Sequence, residues 1–208
     1  MEKVVTPQKL TFSDRLRIWF KWVLDPLAWF FNRIGLTPNT MTLLGLAGNF
    51  IGAYYVSQGQ MVTGGLLMLI TTPLDALDGA MARLRGEANE WGAFVDSVTD
   101  RYSELAILGG LLYYFSNAGN ELASIVTFAA AAGTVLVSYV KARAEAVGFN
   151  AKVGLLTRVE RYLVLAPALV FNQPVLAVWI IALFANFTAL QRIYYVRAQA
   201  HARKKSAS

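Results

Sequence analysis

The chain alternates long apolar runs with short polar connections. Apolar windows bounded by charges and turn residues predict six helices, over residues 40–57, 61–82, 92–116, 122–147, 155–171 and 175–196. A helix needs about 20 mostly apolar residues to cross the roughly 30 Å hydrocarbon core of a bilayer. The pattern therefore predicts an all-α, polytopic membrane protein with six transmembrane helices.

A different pattern precedes these runs. Residues 12–33 mix Arg15, Arg17 and Lys21 with tryptophan, phenylalanine and leucine, and Asp25-Pro26 interrupts them. Such a segment is typical of an amphipathic helix in the membrane interface, with its basic face toward anionic headgroups. A seventh spanning helix is the weaker alternative, because the run is short and charged.

The distribution of positive charge predicts the orientation. The chain is 56% hydrophobic and 15% charged, with a mean hydropathy of +0.44 and a net charge of +6. Lysine and arginine are abundant in the N-terminal segment and in the C-terminal tail and also occur in 83–91 and 148–154, whereas 58–60, 117–121 and 172–174 contain none. The positive-inside rule then predicts that both termini and the basic loops are cytoplasmic, in the cell (plasma) membrane.

Topology and anionic lipid account for the excess of positive charge, and the chain has no nucleic-acid recognition module. We therefore expect membrane lipids, and no nucleic acid, as partners. Without a linker or a convincing repeat, the chain is expected to form one domain over 1–208, with a juxtamembrane segment at 1–33. Residues 198–208 are expected to be a solvated, disordered basic tail.

Four aspartates interrupt the apolar pattern at positions 75, 78, 96 and 100. An ionised aspartate deep in a span costs about 2.5 to 3.5 kcal/mol, so four without partners would cost roughly 10 kcal/mol. Asp75 and Asp78 share one helical face, and so do Asp96 and Asp100. Because one short connection separates the pairs, we expect neighbouring antiparallel helices whose acids converge at their cytoplasmic ends.

Basic side chains, shared protons or metal ions could compensate these acids. Arg83 and Arg101 are nearby, whereas Arg85 is expected to be solvated in the loop. There is no cysteine, and the single histidine, His201, is in the tail. Hard oxygen ligands suit Mg²⁺ or Mn²⁺, and two ions would balance four carboxylates. Magnesium bound by a few carboxylates also takes phosphate oxygens, so such a site would suit a diphosphate.

The residues between the acids agree with that ligand. Gly79 and Ala82 leave the helix surface bare, so that a flat group such as a nucleobase could approach the backbone. Arg83 could reach a phosphate with its fork of donors. Pro73, just upstream, could kink the helix and make room for a ligand.

The spacing Asp75-x2-Asp78-Gly79-x2-Ala82-Arg83-x8-Gly92-x3-Asp96-x3-Asp100 resembles, at every fixed position, the signature of the CDP-alcohol phosphotransferase family. The resemblance implies a six-helix membrane enzyme, commonly a homodimer, with a divalent-metal site that opens to the cytoplasm. Enzymes of this family transfer a phosphatidyl-type group from a CDP-linked lipid to an alcohol and release CMP.

The family pattern implies a role for each residue. Asp75, Asp78 and Asp96 would be metal ligands, and Asp100 would complete the site and serve as the base for the acceptor hydroxyl. Gly79, Ala82, Arg83 and also Asn39, in "GLTPNTMT", would hold the CDP portion. Asn39 has a structural alternative as a helix N-cap after Pro38, and it could do both.

A second polar region bears on the acceptor. "SYVKARAE", residues 138–145, ends the fourth predicted span, and "TRVERY", residues 157–162, begins the fifth. Basic residues from three spans at the level of the acids favour a pocket for an anionic acceptor. Flanking charge of the positive-inside kind is the alternative, and it is favoured for Arg143 or Lys152 taken singly. The region that contains these two stretches resembles the actinobacterial phosphatidylinositol phosphate synthases.

That resemblance implies CDP-diacylglycerol as donor and inositol 1-phosphate (1D-myo-inositol 3-phosphate) as acceptor. The acceptor-binding candidates are Ser138, Lys141, Arg143, Arg158, Arg161 and Arg192. Val159 departs from the pattern, because proline is expected there. Alternatives are a phosphatidylglycerophosphate synthase, or a relative that uses CDP-archaeol or CDP-inositol. Outside this family, the acids could belong to an ion-coupled transporter or have a purely structural role.

Overall fold

A computed structural model describes residues 12–207 of the protein, with side chains over 19–205. All elements in this range are helices, which confirms the all-α prediction. They are α1 (Phe12–Arg33), α2 (Pro38–Ser57), α3 (Met61–Arg85), α4 (Glu90–Asn117), α5 (Glu121–Ala146), α6 (Arg158–Val170) and α7 (Pro174–Ala207). Helices α2 to α7 correspond to the six predicted helices, and α1 covers the segment expected in the interface.

Local chemistry accounts for several helix ends. Thr37 caps α2 by accepting a hydrogen bond from the Thr40 amide, and Pro38 takes the first helical position, where its missing N–H costs nothing. Asn39 is therefore not the N-cap. Gly86 ends α3 in the left-handed conformation, at a φ of 68°. Asn89 then begins α4 by accepting a hydrogen bond of 2.8 Å from the Gly92 amide.

Helix α2 occupies the centre of one half of the bundle, because it packs against both α3 and α4. Helix α5 packs against α4 and α7, α6 packs against α3 and α7, and α1 packs against α3. Glycine permits the closest approaches: a Cβ at Gly110 would lie 2.5 Å from the Ala53 carbonyl oxygen. A small hydrophobic cluster, built around Met41, Leu77 and Met81, joins α1 to α2 and α3.

Within the part of the chain that the structure describes, three helices are long and apolar enough to cross a membrane by length and composition: Met61–Arg85, Glu121–Ala146 and Pro174–Lys205. Large apolar side chains on their outer faces are exposed, among them Ile70, Ile125, Phe128 and Leu183. This is the surface of a membrane protein, since lipid solvates such side chains. Helix α6 has 13 residues, which at 1.5 Å per residue is shorter than the hydrocarbon core.

Three details differ from the sequence-based expectations. Helices α3 and α4 both pack closely on α2 and not on each other, because a cavity separates the ends that carry the acids. Helix α6 begins at Arg158 rather than at 155. The basic tail is not disordered over its described part: α7 continues to Ala207, through alanine, glutamine, arginine and lysine, which favour helix.

Candidate active site

A cavity of about 590 Å³ opens between the start of α2, the end of α3 and the start of α4. Its wall brings together most of the sequence motif: Asn39, Asp75, Asp78, Gly79, Ala82, Arg83, Gly92 and Asp96. Polar groups from residues 37–42 and 85–93 complete the rim. The spacing of the motif thus corresponds to one concave surface shared by three helices.

Two of the aspartates are fixed from the side of α2. The Thr42 hydroxyl donates a hydrogen bond to Asp78 Oδ2, and the Asp78 side chain is buried. Asp75 lies against Gly45, where an added Cβ would be 2.5 Å from Asp75 Oδ1. A larger residue than glycine at position 45 would therefore push the Asp75 carboxylate out of its place.

An arginine from α6 joins the two pairs of acids. Arg158 Nη2 donates a hydrogen bond of 2.6 Å to Asp75 Oδ2 and also forms an ion pair with Asp100 Oδ1. Asp100 lies one turn beyond Asp96 on α4, is 5% exposed, and has a second cationic neighbour in Arg101 at 3.4 Å. One acid from each predicted pair is thus joined by a basic residue that the sequence analysis assigned to the acceptor.

The residues expected to hold CDP lie on the cavity wall. The Arg83 guanidinium folds back over Gly79, since a Cβ at Gly79 would lie 3.3 Å from Arg83 Nη1. Asn39 is exposed at the rim, on the first turn of α2. At Gly79 and Ala82 the cavity floor on α3 therefore has no large side chain, and the Arg83 guanidinium lies beside it.

The sequence suggested that Arg85 is solvated in a loop, and this expectation is wrong. Arg85 lies in the last turn of α3 and donates hydrogen bonds of 2.7 Å to Asn32 Oδ1 and 2.6 Å to the Leu36 carbonyl oxygen. Its side chain is 25% exposed and lines the cavity. The reason is that α1 packs beside α3 and supplies acceptors that the sequence pattern did not reveal.

The acceptor candidates differ in their surroundings and in their exposure. Arg158 and Ser138 lie near the acids, and the Ser138 hydroxyl accepts a hydrogen bond from Arg101. Lys141 is half-buried and Arg143 is exposed on α5. Arg161 and Arg192 are buried in the protein and donate hydrogen bonds to protein acceptors.

Arg161 is 1% exposed and donates from Nε and Nη2 to both carboxylate oxygens of Glu104, at 2.5 and 2.9 Å. Arg192 donates to the carbonyl oxygens of Val137 and Val153, and so ties the segment before α6 to α5. In this structure the guanidinium groups of Arg161 and Arg192 do not face the cavity.

Several residues that shape the site were missed by sequence reasoning. Thr42 and Gly45 hold the acids from α2, and Glu104 holds Arg161. Glu104 carried a usable signal, because Asp96, Asp100 and Glu104 follow one another at intervals of four residues along one helical face. Thr42 and Gly45 carried none, since their role depends on how α2 packs against α3.

The acids fit a divalent ion by the chemistry of the donors, since carboxylate oxygens are the ligands that Mg²⁺ and Mn²⁺ prefer. Among the described residues, no three side chains of the acidic, histidine or cysteine type are grouped closely enough to form a complete metal site. The observed side chains instead pair Asp75 and Asp100 with Arg158.

The fold and the site together define an all-helical membrane protein with acids on the wall of a cavity. The sequence matches the model of the CDP-alcohol phosphatidyltransferase family over residues 35–194. The chain belongs to this family. The resemblance drawn from the aspartate spacing is thereby confirmed.

The chain is similar to curated proteins that are named as synthases of inositol phosphate lipids. It is 36% identical to the phosphatidylinositol phosphate synthase of Streptomyces avermitilis, over 92% of this chain and 84% of the relative. It is 33% identical to the archaetidylinositol phosphate synthase of Pyrococcus horikoshii, over 77% of this chain and 84% of the relative.

The fold is also that of a solved relative. The crystal structure of the phosphatidylinositol phosphate synthase of Mycobacterium tuberculosis with CDP-DAG bound matches with a TM-score of 0.78 at 30% identity, over 84% of this chain and 93% of that chain. A second crystal structure of that enzyme, in complex with manganese and citrate, matches with a TM-score of 0.79, also at 30% identity, over 83% of this chain and 88% of that chain.

Proposed function

We propose that this protein transfers the phosphatidyl group of CDP-diacylglycerol to inositol 1-phosphate (1D-myo-inositol 3-phosphate), forming phosphatidylinositol phosphate and CMP in phospholipid biosynthesis. The observation that carries the proposal is the meeting of Asp75 and Asp100 at Arg158 beside the cavity. This places acids suited to a diphosphate next to a cation suited to a phosphorylated acceptor. The relatives with inositol phosphate in their names support the choice of acceptor.

The donor would enter the cavity with its CDP portion on the floor of α3. Gly79 and Ala82 leave room for the nucleotide, and Arg83 offers a guanidinium to a phosphate. Asn39 would contribute from the rim on α2. The exposed apolar faces of the helices would leave the acyl chains in the surrounding lipid.

Asp75, Asp78, Asp96 and Asp100 would hold Mg²⁺ or Mn²⁺, in our proposal two ions. When bound, the metal would neutralise the diphosphate and stabilise the charge on the departing CMP. Thr42 and Gly45 keep the carboxylates of Asp78 and Asp75 in position from α2. This rigid support from α2 reduces the reorganisation that binding would require.

Asp100 would accept the proton of the acceptor hydroxyl. The hydroxyl oxygen then forms a bond to the phosphorus of the phosphatidyl group, and the bond from that phosphorus to the CMP oxygen breaks. A positioned base of this kind typically contributes about 10² to 10⁴ in rate. Arg158 and Arg101, which contact Asp100, would hold its carboxylate in place for this step.

The acceptor phosphate would bind between α4, α5 and α6. Arg158 has the best position, and Ser138 and Lys141 on α5 lie on the same side of the bundle. Arg143, on the exposed face of α5, would add long-range attraction. Arg161 and Arg192 would act by fixing the helices that carry these groups, since both are buried and hydrogen-bonded to protein acceptors.

The acceptor is tested with purified protein, CDP-diacylglycerol, Mg²⁺ and labelled acceptors, each supplied separately. We expect labelled lipid from inositol 1-phosphate. A lipid product from glycerol 3-phosphate alone would instead identify a phosphatidylglycerophosphate synthase. In the same assay, EDTA is expected to stop CMP release, and Mg²⁺ or Mn²⁺ is expected to restore it; EDTA resistance would contradict the metal proposal.

We further propose that α2 to α7 all span the membrane, that α1 lies in the interface, and that the active site and both termini are cytoplasmic, with two chains forming a homodimer. The chain has no cysteine, so single cysteines can report accessibility. Cysteines introduced at Asn89 and Gly119 should react with impermeant reagents from opposite sides of the membrane. Mass measurement in detergent tests the dimer.

A further inference from the structure

Two ion pairs connect α4 to α6. Asp100 pairs with Arg158, and one turn further Glu104 pairs with Arg161. The backbone of α6 packs closely against α3 and α7, not against α4. Farther along both helices, apolar side chains of α4 and α6 share the hydrophobic core, so at the start of α6 these two ion pairs are the polar link to the acid-bearing face of α4.

The second pair is far more buried than the first. The side chains of Arg161 and Glu104 are 1% and 5% exposed, whereas that of Arg158 is 25% exposed. The Arg161 guanidinium donates one hydrogen bond to each carboxylate oxygen of Glu104. This bidentate geometry fixes the relative orientation of the two side chains as well as their separation. Such a buried pair resists displacement, since loss of either partner leaves an uncompensated charge.

Arg161 also holds the start of its own helix. Its Nη1 donates a hydrogen bond of 3.2 Å to the Leu156 carbonyl oxygen, just before α6. Arg158 is the first residue of α6, three positions before Arg161 on the same helical face. Glu104, through Arg161, thereby fixes the turn that carries Arg158.

From these contacts we propose that Glu104 is a positioning residue for the transfer reaction: it acts through Arg161 to hold Arg158 between Asp75 and Asp100. This inference rests on the proposed function, because it assigns Arg158 to the acceptor side of that site. Glu104 itself touches neither the cavity nor, in our proposal, any substrate. Its effect should therefore appear in the use of the acceptor and depend on Arg158.

The test compares Glu104→Gln, Arg158→Gln and the double variant with the wild type. The readouts are the KM for the donor, the kcat/KM for the acceptor and the melting temperature. Misplacement of a binding group by about 1 Å can cost up to about 10²-fold, so we expect Glu104→Gln to lower the acceptor kcat/KM by about tenfold, and by no more than Arg158→Gln does, with the donor KM nearly unchanged. In the Arg158→Gln background, Glu104→Gln should lower the acceptor kcat/KM little further.

A matched control separates positioning from general stability. Asn186 on α7 donates a hydrogen bond of 3.0 Å to the Ala129 carbonyl oxygen on α5, far along the chain from the acids. Asn186→Ala should lower the melting temperature without changing the acceptor kcat/KM. The inference is overturned if Glu104→Gln behaves like Asn186→Ala, or if the effects of the Glu104 and Arg158 substitutions multiply.

Arg161→Lys keeps the test decisive if Glu104→Gln does not fold. It retains the charge opposite Glu104 but loses the fork, and the same selective loss for the acceptor is expected, to a smaller extent. An unchanged acceptor kcat/KM in that variant would also overturn the inference. If the wild type proves to use another phosphorylated polyol, the proposed acceptor is wrong, and the same cycle run with that acceptor still judges Glu104.

Discussion

The acid-bearing half of the site and its basic half are built differently. The motif acids lie on two helices, three of them on one cavity wall and Asp100 one turn away. The basic and polar candidates come from α5, α6 and α7, and the structure separates them. Arg158 joins the acids, whereas Arg161 and Arg192 are buried in contacts with other protein groups.

The difference shows what residue spacing can reveal. Intervals of three and four residues within one helix guarantee a shared face, so the acids could be grouped from the sequence. Arginines at one membrane level on different helices share no such guarantee. The surroundings of each arginine depend on which helices are in contact, and a buried acid such as Glu104 can form an ion pair with one of the arginines.

The largest effect should come from the acid half. Asp100→Asn is expected to lower kcat by about 10² to 10⁴, because the amide cannot accept the hydroxyl proton. CMP release from CDP-diacylglycerol measures it. Asp25→Asn is the matched control, since Asp25 forms an exposed pair with Lys21 on α1 and such pairs contribute little. Unchanged CMP release in Asp100→Asn would mean that Asp100 is not the base of the reaction.

A smaller effect should separate the basic residues from one another. Arg158→Gln removes charge-assisted hydrogen bonds, and a loss of about 10- to 100-fold in acceptor kcat/KM is expected. Arg143→Gln should cost less, because Arg143 is exposed on α5 and acts through screened solvent. Acceptor titrations at fixed donor measure both. Equal losses would mean that the basic half is one pocket, as the sequence suggested.

Filling the floor of the cavity should affect the donor. Gly79→Leu places a side chain where the nucleotide would lie, and we expect the donor KM to rise about tenfold. Gly109→Leu is the control, because a Cβ at Gly109 meets nothing within 4 Å. Donor titrations at saturating acceptor measure the change. If both variants change the donor KM alike, the nucleotide does not use this surface.

The smallest change tests the support of the acids from α2. Gly45→Ala introduces a Cβ 2.5 Å from Asp75 Oδ1, and overpacking of this kind typically costs about 1 to 3 kcal/mol. We expect a lower melting temperature and a modest loss of kcat. Gly109→Ala should show neither effect. A fully active Gly45→Ala would mean that the Asp75 carboxylate need not occupy its observed position.

The sequence by itself determined the all-helical architecture, the approximate helices and the family, since hydropathy and the aspartate spacing are local properties of the chain. It also indicated which acids share a face. Only the tertiary structure decided that α2 lies between α3 and α4, that Arg85 bonds to α1, and that Arg161 pairs with Glu104. The physical reason is that a buried charge takes whichever partner the packing of distant helices brings near, and no interval along the chain encodes that choice.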